Sequence, residues 1–272
     1  MSFRRRSAAP LGAAAALAAT VVMVSAAPAG AVNRGMSVRY PSSFAAIGDS
    51  WTAPSVTADS WATGTHSTID SQYLRILAHN PAIHGHAYNL AEAHAQTGPG
   101  VSDFAFQAAG AIKRRVGYIT IELGENDVCG VTPKSAFARE FKAGLSHLTH
   151  ALPHAHVFVL SIENVANQWR AINASPAGHK ALKSGSSLDC LLGGSATQHQ
   201  LTRVAKKIAA YNDILSKVCR SAARCRYDNG AVYRMRFAAG DFDPYELQEL
   251  SPAGERALSA TAWHAGYRFT RG

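Results

Sequence analysis

Two short polar turns carry the residues best suited to chemistry. Ser50 ends a Gly-Asp-Ser turn after the apolar run 44–47, and Asn126 lies in a Gly-Glu-Asn-Asp turn after the run 118–123. A serine on a tight turn at the end of a strand exposes its hydroxyl and its backbone N–H to one pocket, which suits a nucleophile. An asparagine beside it can donate to the oxyanion formed on an attacked ester carbonyl, which is worth about 3 kcal/mol. The pair is therefore suited to nucleophilic attack on an ester carbonyl.

The elements that must position these turns alternate between strand-like and helix-like patterns. Apolar runs typical of buried strands cover residues 44–47, 87–90, 118–123 and 157–161. Stretches typical of helices cover residues 71–78, 101–114, 134–151, 198–222 and 253–262. This alternation predicts an α/β fold, a three-layer sandwich with a parallel sheet of about five strands. Both polar turns would then lie at the carboxyl edge of one sheet, where open α/β sheets bind ligands.

One stretch, residues 164–194, does not fit the alternation. It is rich in Ala, Ser, Gly and Lys and has no strong period, which predicts a long surface loop tethered by Cys190. Such a loop either shapes a substrate cleft or only connects two elements.

The first 31 residues are typical of an export signal. Three Arg precede an Ala/Leu/Val/Met run over residues 11–24, and residues 29–31 offer small side chains for cleavage. The apolar run is shorter than the ~20 residues that a membrane-spanning helix needs. We therefore predict a signal peptide at 1–31, a single domain at 32–272 and a secreted, extracellular protein.

The charge balance does not point to nucleic acid. The sequence has 27 Lys and Arg against 18 Asp and Glu, a net charge of +9, and removal of residues 1–31 leaves 24 against 18. The basic clusters at 113–115 and 203–207 have no interleaved aromatic residues for base stacking. The remaining positive charge is compatible with peripheral contact with a membrane or cell wall. We expect a monomer.

Four cysteines lie beyond the export signal: Cys129, Cys190, Cys219 and Cys225. An even number in an oxidising compartment favours two disulfides over metal ligation, and no Cys-x-x-Cys pair is present. The sequence permits three pairings. We favour Cys219 with Cys225, which closes a short loop, and Cys129 with Cys190, which would pin the 164–194 stretch to the end of a strand.

The 12 histidines do not predict a metal site. His147 and His150 would share one face of a helix, but no acidic residues accompany them. A polar helix end explains them, because histidine is favourable there. We expect no metal and no other cofactor.

In combination, three blocks resemble the SGNH/GDSL hydrolases, which are secreted esterases and lipases. The blocks are the turns at 48–50 and 124–127 and the segment from the Ser-Pro-Ala-Gly at 251–254 to Trp263. Further motifs at 60–64, 73–75, 126–129, 211–212 and 225–228 resemble an actinobacterial branch of that family. The resemblance covers about residues 44–263. It implies the SGNH hydrolase fold, with a flavodoxin-like sheet, and cofactor-free hydrolysis of a lipid or small-molecule ester.

The resemblance also implies roles for individual residues. Ser50 would be the nucleophile, and the oxyanion hole would combine the backbone N–H of Ser50, the side chain of Asn126 and the backbone N–H of residue 94. The family has glycine at that last position, whereas this sequence has His94. A backbone N–H survives the change, but any requirement for positive φ would strain the loop. Trp51, which follows the nucleophile, is expected to line an acyl pocket.

The last block departs further from the family pattern. The family places Asp-x-x-His shortly before the Ser-x-x-Gly turn, with the histidine as general base and the aspartate orienting it. Here those two positions hold Glu246 and Glu249. No histidine lies between Arg226 and Trp263, so the usual base is missing from its place.

Three hypotheses about the base follow. Glu249 could accept the Ser50 proton itself, if burial and the neighbouring Glu246 raise its pKa. Alternatively, His94 could act as a relocated imidazole that Glu92 or Glu249 orients. Finally, the site could be degenerate, which would make the protein an inactive binding protein for a lipid, ester or glycan. Because the serine and the asparagine are both present, we favour a serine esterase with Ser50, Glu249 and Glu246 as its catalytic residues.

Overall fold

A five-stranded parallel sheet forms the centre of the structure. The computed structural model describes residues 37–98, 100, 103–130, 132–186 and 188–270, so the predicted signal peptide at 1–31 lies outside the described residues. The strands of this sheet are β2 (Phe44–Gly48), β3 (Ala87–Asn89), β4 (Tyr118–Glu122), β5 (His156–Val159) and β6 (Cys225–Tyr227). A separate parallel pair joins β1 (Ser37–Arg39) to β7 (Arg268–Thr270).

The strand order creates a crevice at the carboxyl edge of the sheet. The order is β3-β2-β4-β5-β6, and every neighbouring pair is parallel. This is the flavodoxin-like order, in which the chain runs outward in opposite directions from the first strand. The switch point lies between β2 and β4, where such sheets bind ligands. The Ser50 turn follows β2 and the Asn126 turn follows β4, so both open into this crevice.

Helices flank the sheet, which gives the predicted three-layer α/β architecture. They are α1 (Gln72–Leu77), α2 (Phe104–Arg114), α3 (Glu125–Cys129), α4 (Lys134–Ala151), α5 (Val165–Asn173), α6 (Pro176–Lys183), α7 (Gln198–Ser221) and α8 (Pro252–Ala265). Helix α2 packs against α4, and α4 packs against α7. Among the described residues, no helix combines the length and apolar character needed to cross a membrane.

The prediction of a long loop at 164–194 is wrong, because most of that stretch is helical. Asn164 caps α5 by accepting from the backbone N–H of Ala166, and Ser175 caps α6 by accepting from Gly178. Pro176 occupies the first turn of α6, where proline is favourable because its missing N–H would have no helical partner. A capping residue followed by proline was the available signal, and the Ala/Ser/Lys composition concealed the period.

Both disulfides that the sequence favours are present in the structure. Cys219 pairs with Cys225 between the end of α7 and β6, across a sequence separation of 6 residues. Cys129 pairs with Cys190 across a separation of 61 residues and ties the end of α3 to a 3₁₀ turn at Asp189–Leu191. The second bridge therefore fixes this 3₁₀ turn beside the residues that follow β4.

Candidate active site

The turn that carries Ser50 is tightly packed. A Cβ on Gly48 would lie 2.5 Å from the Thr52 hydroxyl oxygen and 2.6 Å from the Glu122 carbonyl oxygen, so only glycine fits there. The backbone N–H groups of Thr52 and Ala53 both donate to the carbonyl of Asp49. These contacts close the turn and leave Ser50 partly exposed on a cavity.

The candidate base lies on the 243–250 loop, which precedes α8. Two buried side chains hold this loop beside the serine. The Trp51 indole N–H donates to the carbonyl of Gln248 at 2.8 Å, and the Gln168 amide donates to the carbonyls of Leu247 and Gln248, both at 3.2 Å. Because these bonds engage the two residues before Glu249, they determine where its side chain begins.

Ser50 and Glu249 line the same cavity, where hydrogen bonding between the Ser50 hydroxyl and the Glu249 carboxylate lowers the pKa of that carboxylate. Burial raises the pKa of Glu249 above its ordinary value, the bond from Ser50 opposes the rise, and the negative charges of Asp189 and Glu246 add to it. A carboxylate with a raised pKa is a stronger base than an exposed one. The structure thus brings together a hydroxyl and a group able to accept its proton.

Three N–H donors are candidates for binding an oxyanion: the backbone N–H groups of Ser50 and His94 and the side-chain amide of Asn126. Among the described residues, no protein group accepts from the backbone N–H of Ser50 or of His94. The Asn126 amide uses one of its two hydrogens on the carbonyl of Ala95, at 3.2 Å, which leaves the other available. These are the groups that the sequence assigns to the oxyanion hole.

His94 occupies the position at which the resemblance expects glycine, and its backbone conformation explains why glycine would be favoured there. Its φ is 64°, in the left-handed region that glycine adopts without steric cost. The loop that contains His94 is held by the turn that carries Asn126. In that turn, Asp127 accepts from the backbone N–H and the hydroxyl of Thr97, both at 2.9 Å. In this conformation the His94 N–H has no acceptor within the described residues.

The imidazole of His94 is exposed, and its charged neighbours are Asp189 and Glu249. Glu92, the other residue considered as its orienting partner, is exposed, and within the described residues no hydrogen bond or ion pair joins its side chain to His94. Glu246 is also exposed. Its backbone carbonyl accepts from the N–H of Glu249 at 2.7 Å, and no hydrogen bond joins the two carboxyl groups in the described part of the chain.

A set of buried carboxyl groups lies beneath the site, and the sequence analysis did not identify it. Burial raises the pKa of Asp49, Glu125 and Glu163 well above the ordinary range, and their mutual repulsion adds to the effect. Each follows a strand end or begins the next turn, so the parallel order places them at one edge of the sheet. Single acidic residues at the ends of apolar strands were the available signal.

Glu122 connects this set to the Ser50 turn. Burial raises its pKa to about 7, against the hydrogen bonds that Thr52 and Asp49 donate to it. The Thr52 hydroxyl lies 2.9 Å from the Glu122 carboxylate and also accepts from the Trp61 indole at 3.1 Å. Asp49, the residue before Ser50, is therefore held by the hydrogen bond that its protonated carboxyl donates to the Glu122 carboxylate.

The long-range disulfide positions a second carboxyl pair. Asp189 is adjacent to Cys190, and its carboxylate accepts a hydrogen bond from the protonated carboxyl of Glu125. Burial raises the pKa of Asp189, and this hydrogen bond opposes the rise. Through the bridge to Cys129, the 3₁₀ turn places Asp189 near both His94 and Glu249.

A cavity of about 600 Å³ opens above these groups. Ser50, His94, Glu246 and Glu249 all contribute to its lining. The expectation that Trp51 lines an acyl pocket is wrong. Its side chain is 2% exposed and packs edge-on against Phe237 at a ring separation of 5.7 Å.

No group of three or more His, Cys, Asp or Glu side chains within the described residues has the arrangement of a metal site. The site offers the serine hydroxyl, the carboxyl groups, the imidazole and the N–H donors described above.

Comparison with known proteins identifies the family and agrees with the fold. The sequence profile of the GDSL-like lipase/acylhydrolase family matches residues 44–254. A protein from Parabacteroides merdae described as a GDSL-like lipase superposes with a TM-score of 0.54 at 11% identity, covering 84% of this chain and 96% of its own. A protein from Desulfitobacterium hafniense described as a lipolytic protein of the G-D-S-L family gives 0.52 at 15% identity, covering 83% and 99%. A search of curated protein sequences gives no significant match.

Proposed function

The chain belongs to the GDSL-like lipase/acylhydrolase family, which supports hydrolysis of ester substrates, and we propose that it is a secreted serine esterase in which Glu249 replaces the usual histidine base. Ser50 is the nucleophile and forms an acyl-enzyme. Glu246 is not the orienting group that the family pattern suggests, because its side chain is exposed. Orientation comes instead from the hydrogen bonds that hold the 243–250 loop.

One observation carries this proposal: Ser50 and Glu249 line the same cavity, and the Ser50 hydroxyl lowers the pKa of the Glu249 carboxylate. A nucleophile and its base must come within hydrogen-bond reach, and the shared cavity supports such a pairing. This placement also favours an enzyme over an inactive binding protein, since a site that has lost its activity does not require a base beside the serine. The exposed imidazole of His94 lines the cavity beside Ser50.

The reaction proceeds in two steps. The Ser50 oxygen attacks the ester carbonyl as its proton passes to Glu249, and the protonated Glu249 then donates to the departing alcohol. In the second step, water attacks the acyl-enzyme and gives its proton to Glu249, and the acid leaves as Ser50 recovers its proton. The free N–H groups of Ser50, His94 and Asn126 stabilise the oxyanion in both steps.

Secretion is the second part of the proposal. It is supported by the export-signal pattern at 1–31 and by the two disulfides, which persist in oxidising compartments outside the cytosol. Expression with the native leader, followed by N-terminal sequencing of protein from the medium, tests it. We expect a mature N-terminus near residue 32. Protein that stays cell-associated with residues 1–31 intact would overturn this part.

The nucleophile is tested by covalent trapping. A fluorophosphonate probe should label the protein at Ser50, as mapped by peptide mass spectrometry, and p-nitrophenyl acetate should be hydrolysed. Ser50→Ala should lose both, whereas Ser55→Ala, a substitution of another serine lining the cavity, should keep both. Equal hydrolysis by the unmodified protein and by Ser50→Ala would overturn the proposal.

A further inference from the structure

The electrostatic character of the cavity differs from that of the whole chain. The chain has a net charge of +9, yet the described residues that line the cavity include Asp243, Glu246 and Glu249 and no Lys or Arg. Of these described lining residues, only His94 has a side chain able to carry a positive charge. Salt screens charges beyond about 10 Å at 0.1 M, so a bound substrate experiences mainly these nearby carboxylates.

Asp243 is fixed at the mouth of the cavity by the turn that it forms. One of its carboxylate oxygens accepts from the backbone N–H groups of Tyr245 and Glu246, at 2.7 and 2.9 Å. The backbone N–H of Asp243 donates to the carbonyl of Glu249 at 2.9 Å. The turn therefore keeps the Asp243 carboxylate and the exposed Glu246 side chain in the same short loop as the base.

An aromatic ring stands at the same rim. Tyr245 lines the cavity, and its side chain is 92% exposed. A large ring left in water has no packing role, and its face can bind a cation with about 0.5–1 kcal/mol or more. An exposed aromatic face beside carboxylates is a suitable arrangement for recognising a quaternary or protonated amine.

The apolar lining is limited. Leu247 and Leu250 are each only 8% exposed, and the other apolar contributors are alanines and Pro54. A long acyl chain buries about 0.8 kcal/mol per methylene in a suitable groove. This cavity offers little such surface, so charge rather than chain length dominates its selectivity.

We propose that the substrate is a small ester bearing a positive charge close to the scissile bond, recognised by Asp243, Glu246 and the ring of Tyr245. This inference rests on the proposed esterase function. It adds a charge preference that the family assignment does not contain. Esters with an anionic group near the scissile bond should be poor substrates, because the same carboxylates repel them.

Two esters of nearly the same shape provide the test. Acetylcholine carries a quaternary nitrogen, and 3,3-dimethylbutyl acetate has a neutral carbon in its place. We expect kcat/KM for acetylcholine to exceed that for the neutral ester by about 10-fold or more at low salt, since the carboxylates of Asp243 and Glu246 each attract the cation and not the neutral group. Raising NaCl from 0.1 to 1 M should reduce the ratio, because the screening length falls to about 3 Å.

Charge-neutralising variants assign the preference to the loop. Glu246→Gln and Asp243→Asn should each lower the ratio about threefold or more, and the double variant should bring it towards one. Asn can still accept the two turn hydrogen bonds, so Asp243→Asn removes charge with little change in the turn. Asp213→Asn, an exposed position on α7 outside the cavity lining, removes one charge elsewhere and should leave the ratio unchanged.

Each outcome separates this inference from the proposed function. Ser50-dependent hydrolysis with a ratio near or below one, or cleavage of p-nitrophenyl acetate without cleavage of acetylcholine, overturns the charge preference and leaves the esterase intact. A preference that survives in the double variant removes the assignment to Asp243 and Glu246. Absence of hydrolysis of all three esters overturns both proposals.

Discussion

The indole N–H of Trp51 donates to the carbonyl of Gln248 at 2.8 Å. These residues are neighbours in sequence of the proposed nucleophile and of the proposed base, so one hydrogen bond links the turn that carries Ser50 to the loop that carries Glu249. The family resemblance pointed to both of these proposed positions. The link that joins them comes from a tryptophan that was expected to contact substrate.

Trp51 is therefore a positioning residue. Trp51→Phe keeps an aromatic ring against Phe237 but removes the donor to Gln248. We expect kcat to fall about 10-fold with little change in KM, because Glu249 loses its orientation while the cavity lining stays the same. Steady-state kinetics on p-nitrophenyl acetate measure this.

The matched control is Trp169→Phe. Trp169 donates to the carbonyl of Gly193 at 2.9 Å, so the variant loses a comparable bond at a position that does not line the cavity. It should lose a similar amount of thermal stability and keep its kcat. A fall in kcat of the same size in both variants would show that the Trp51 effect is general destabilisation.

His94→Gly tests the alternative base and the strained backbone together. Glycine keeps the backbone N–H and relieves a φ of 64°. We expect stability to rise by about 0.5–1 kcal/mol, the steric cost of the left-handed region less the extra entropy of glycine. Arg115→Gly, at a helix C-cap with a φ of 51°, should show a similar gain.

Activity separates the two base hypotheses. If Glu249 accepts the Ser50 proton, His94→Gly should keep kcat/KM within about threefold, because the oxyanion N–H remains. A loss of 100-fold or more, with Ser50 still labelled by a fluorophosphonate, would instead identify His94 as the base.

The buried carboxyl groups predict how stability depends on pH. Burial raises the pKa of Glu122 to about 7 in the folded protein, above the ordinary value of about 4.3 expected on unfolding. Between these values the folded state holds more protons than the unfolded state. The contribution of Glu122 to the stability of the folded state is therefore full below about pH 4.3 and is lost as the pH rises through about 7.

Glu122→Gln should weaken that pH dependence. The amide stays neutral and can still accept the hydrogen bond from Thr52. We expect the melting temperature to fall between pH 5 and pH 8 in the unmodified protein and to fall less in the variant. Glu140→Gln, at the exposed Arg139 pair, should follow the unmodified protein. A melting temperature that rises over this range would contradict the account.

The two disulfides should differ in their effects. Replacing Cys129 and Cys190 by alanine opens a loop of 61 residues, for which chain entropy predicts a cost of about 4 kcal/mol. The pair Cys219 and Cys225 closes only 6 residues, for which the same relation gives about 2 kcal/mol. Urea unfolding of both double variants measures the difference.

Only the longer bridge should affect catalysis. It fixes Asp189, which adds to the rise of the Glu249 pKa. Its loss should move the acid limb of the activity profile to lower pH, whereas the Cys219–Cys225 variant should keep the limb in place. Equal profiles would show that Asp189 stays in position without the bridge.

The sequence predicted the sheet and its catalytic edge, and it did so for a physical reason. Strands buried on both faces are apolar runs, and the polar turns that end them are conspicuous against that background. Ser50 and Asn126 were predicted as site residues in this way, and the strand order places the two turns that carry them at the switch point. The two disulfides were predicted from the even number of cysteines and the expected oxidising compartment.

The structural features that could not be predicted from the sequence depend on contacts between segments that are distant in the chain. Helices α5 and α6 have weak periodicity, and only the capping residues Asn164 and Ser175 mark where they begin. The burial of Glu122 and Glu163 arises from the pairing of β2, β4 and β5, which local sequence does not contain. Trp51 was misassigned for the same reason, since its partner Gln248 is far along the chain.

The pH dependence of kcat/KM tests the central claim, that Glu249 is the base for Ser50. In the unmodified protein, activity on p-nitrophenyl acetate should fall as the pH drops through the raised pKa of Glu249, because the protonated carboxyl cannot accept the Ser50 proton. Glu249→Gln should lose activity at every pH, and Glu249→His should restore part of it with a limb near the histidine value of about 6.5. An acid limb that stays unchanged in Glu249→Gln, with activity retained, would contradict the account.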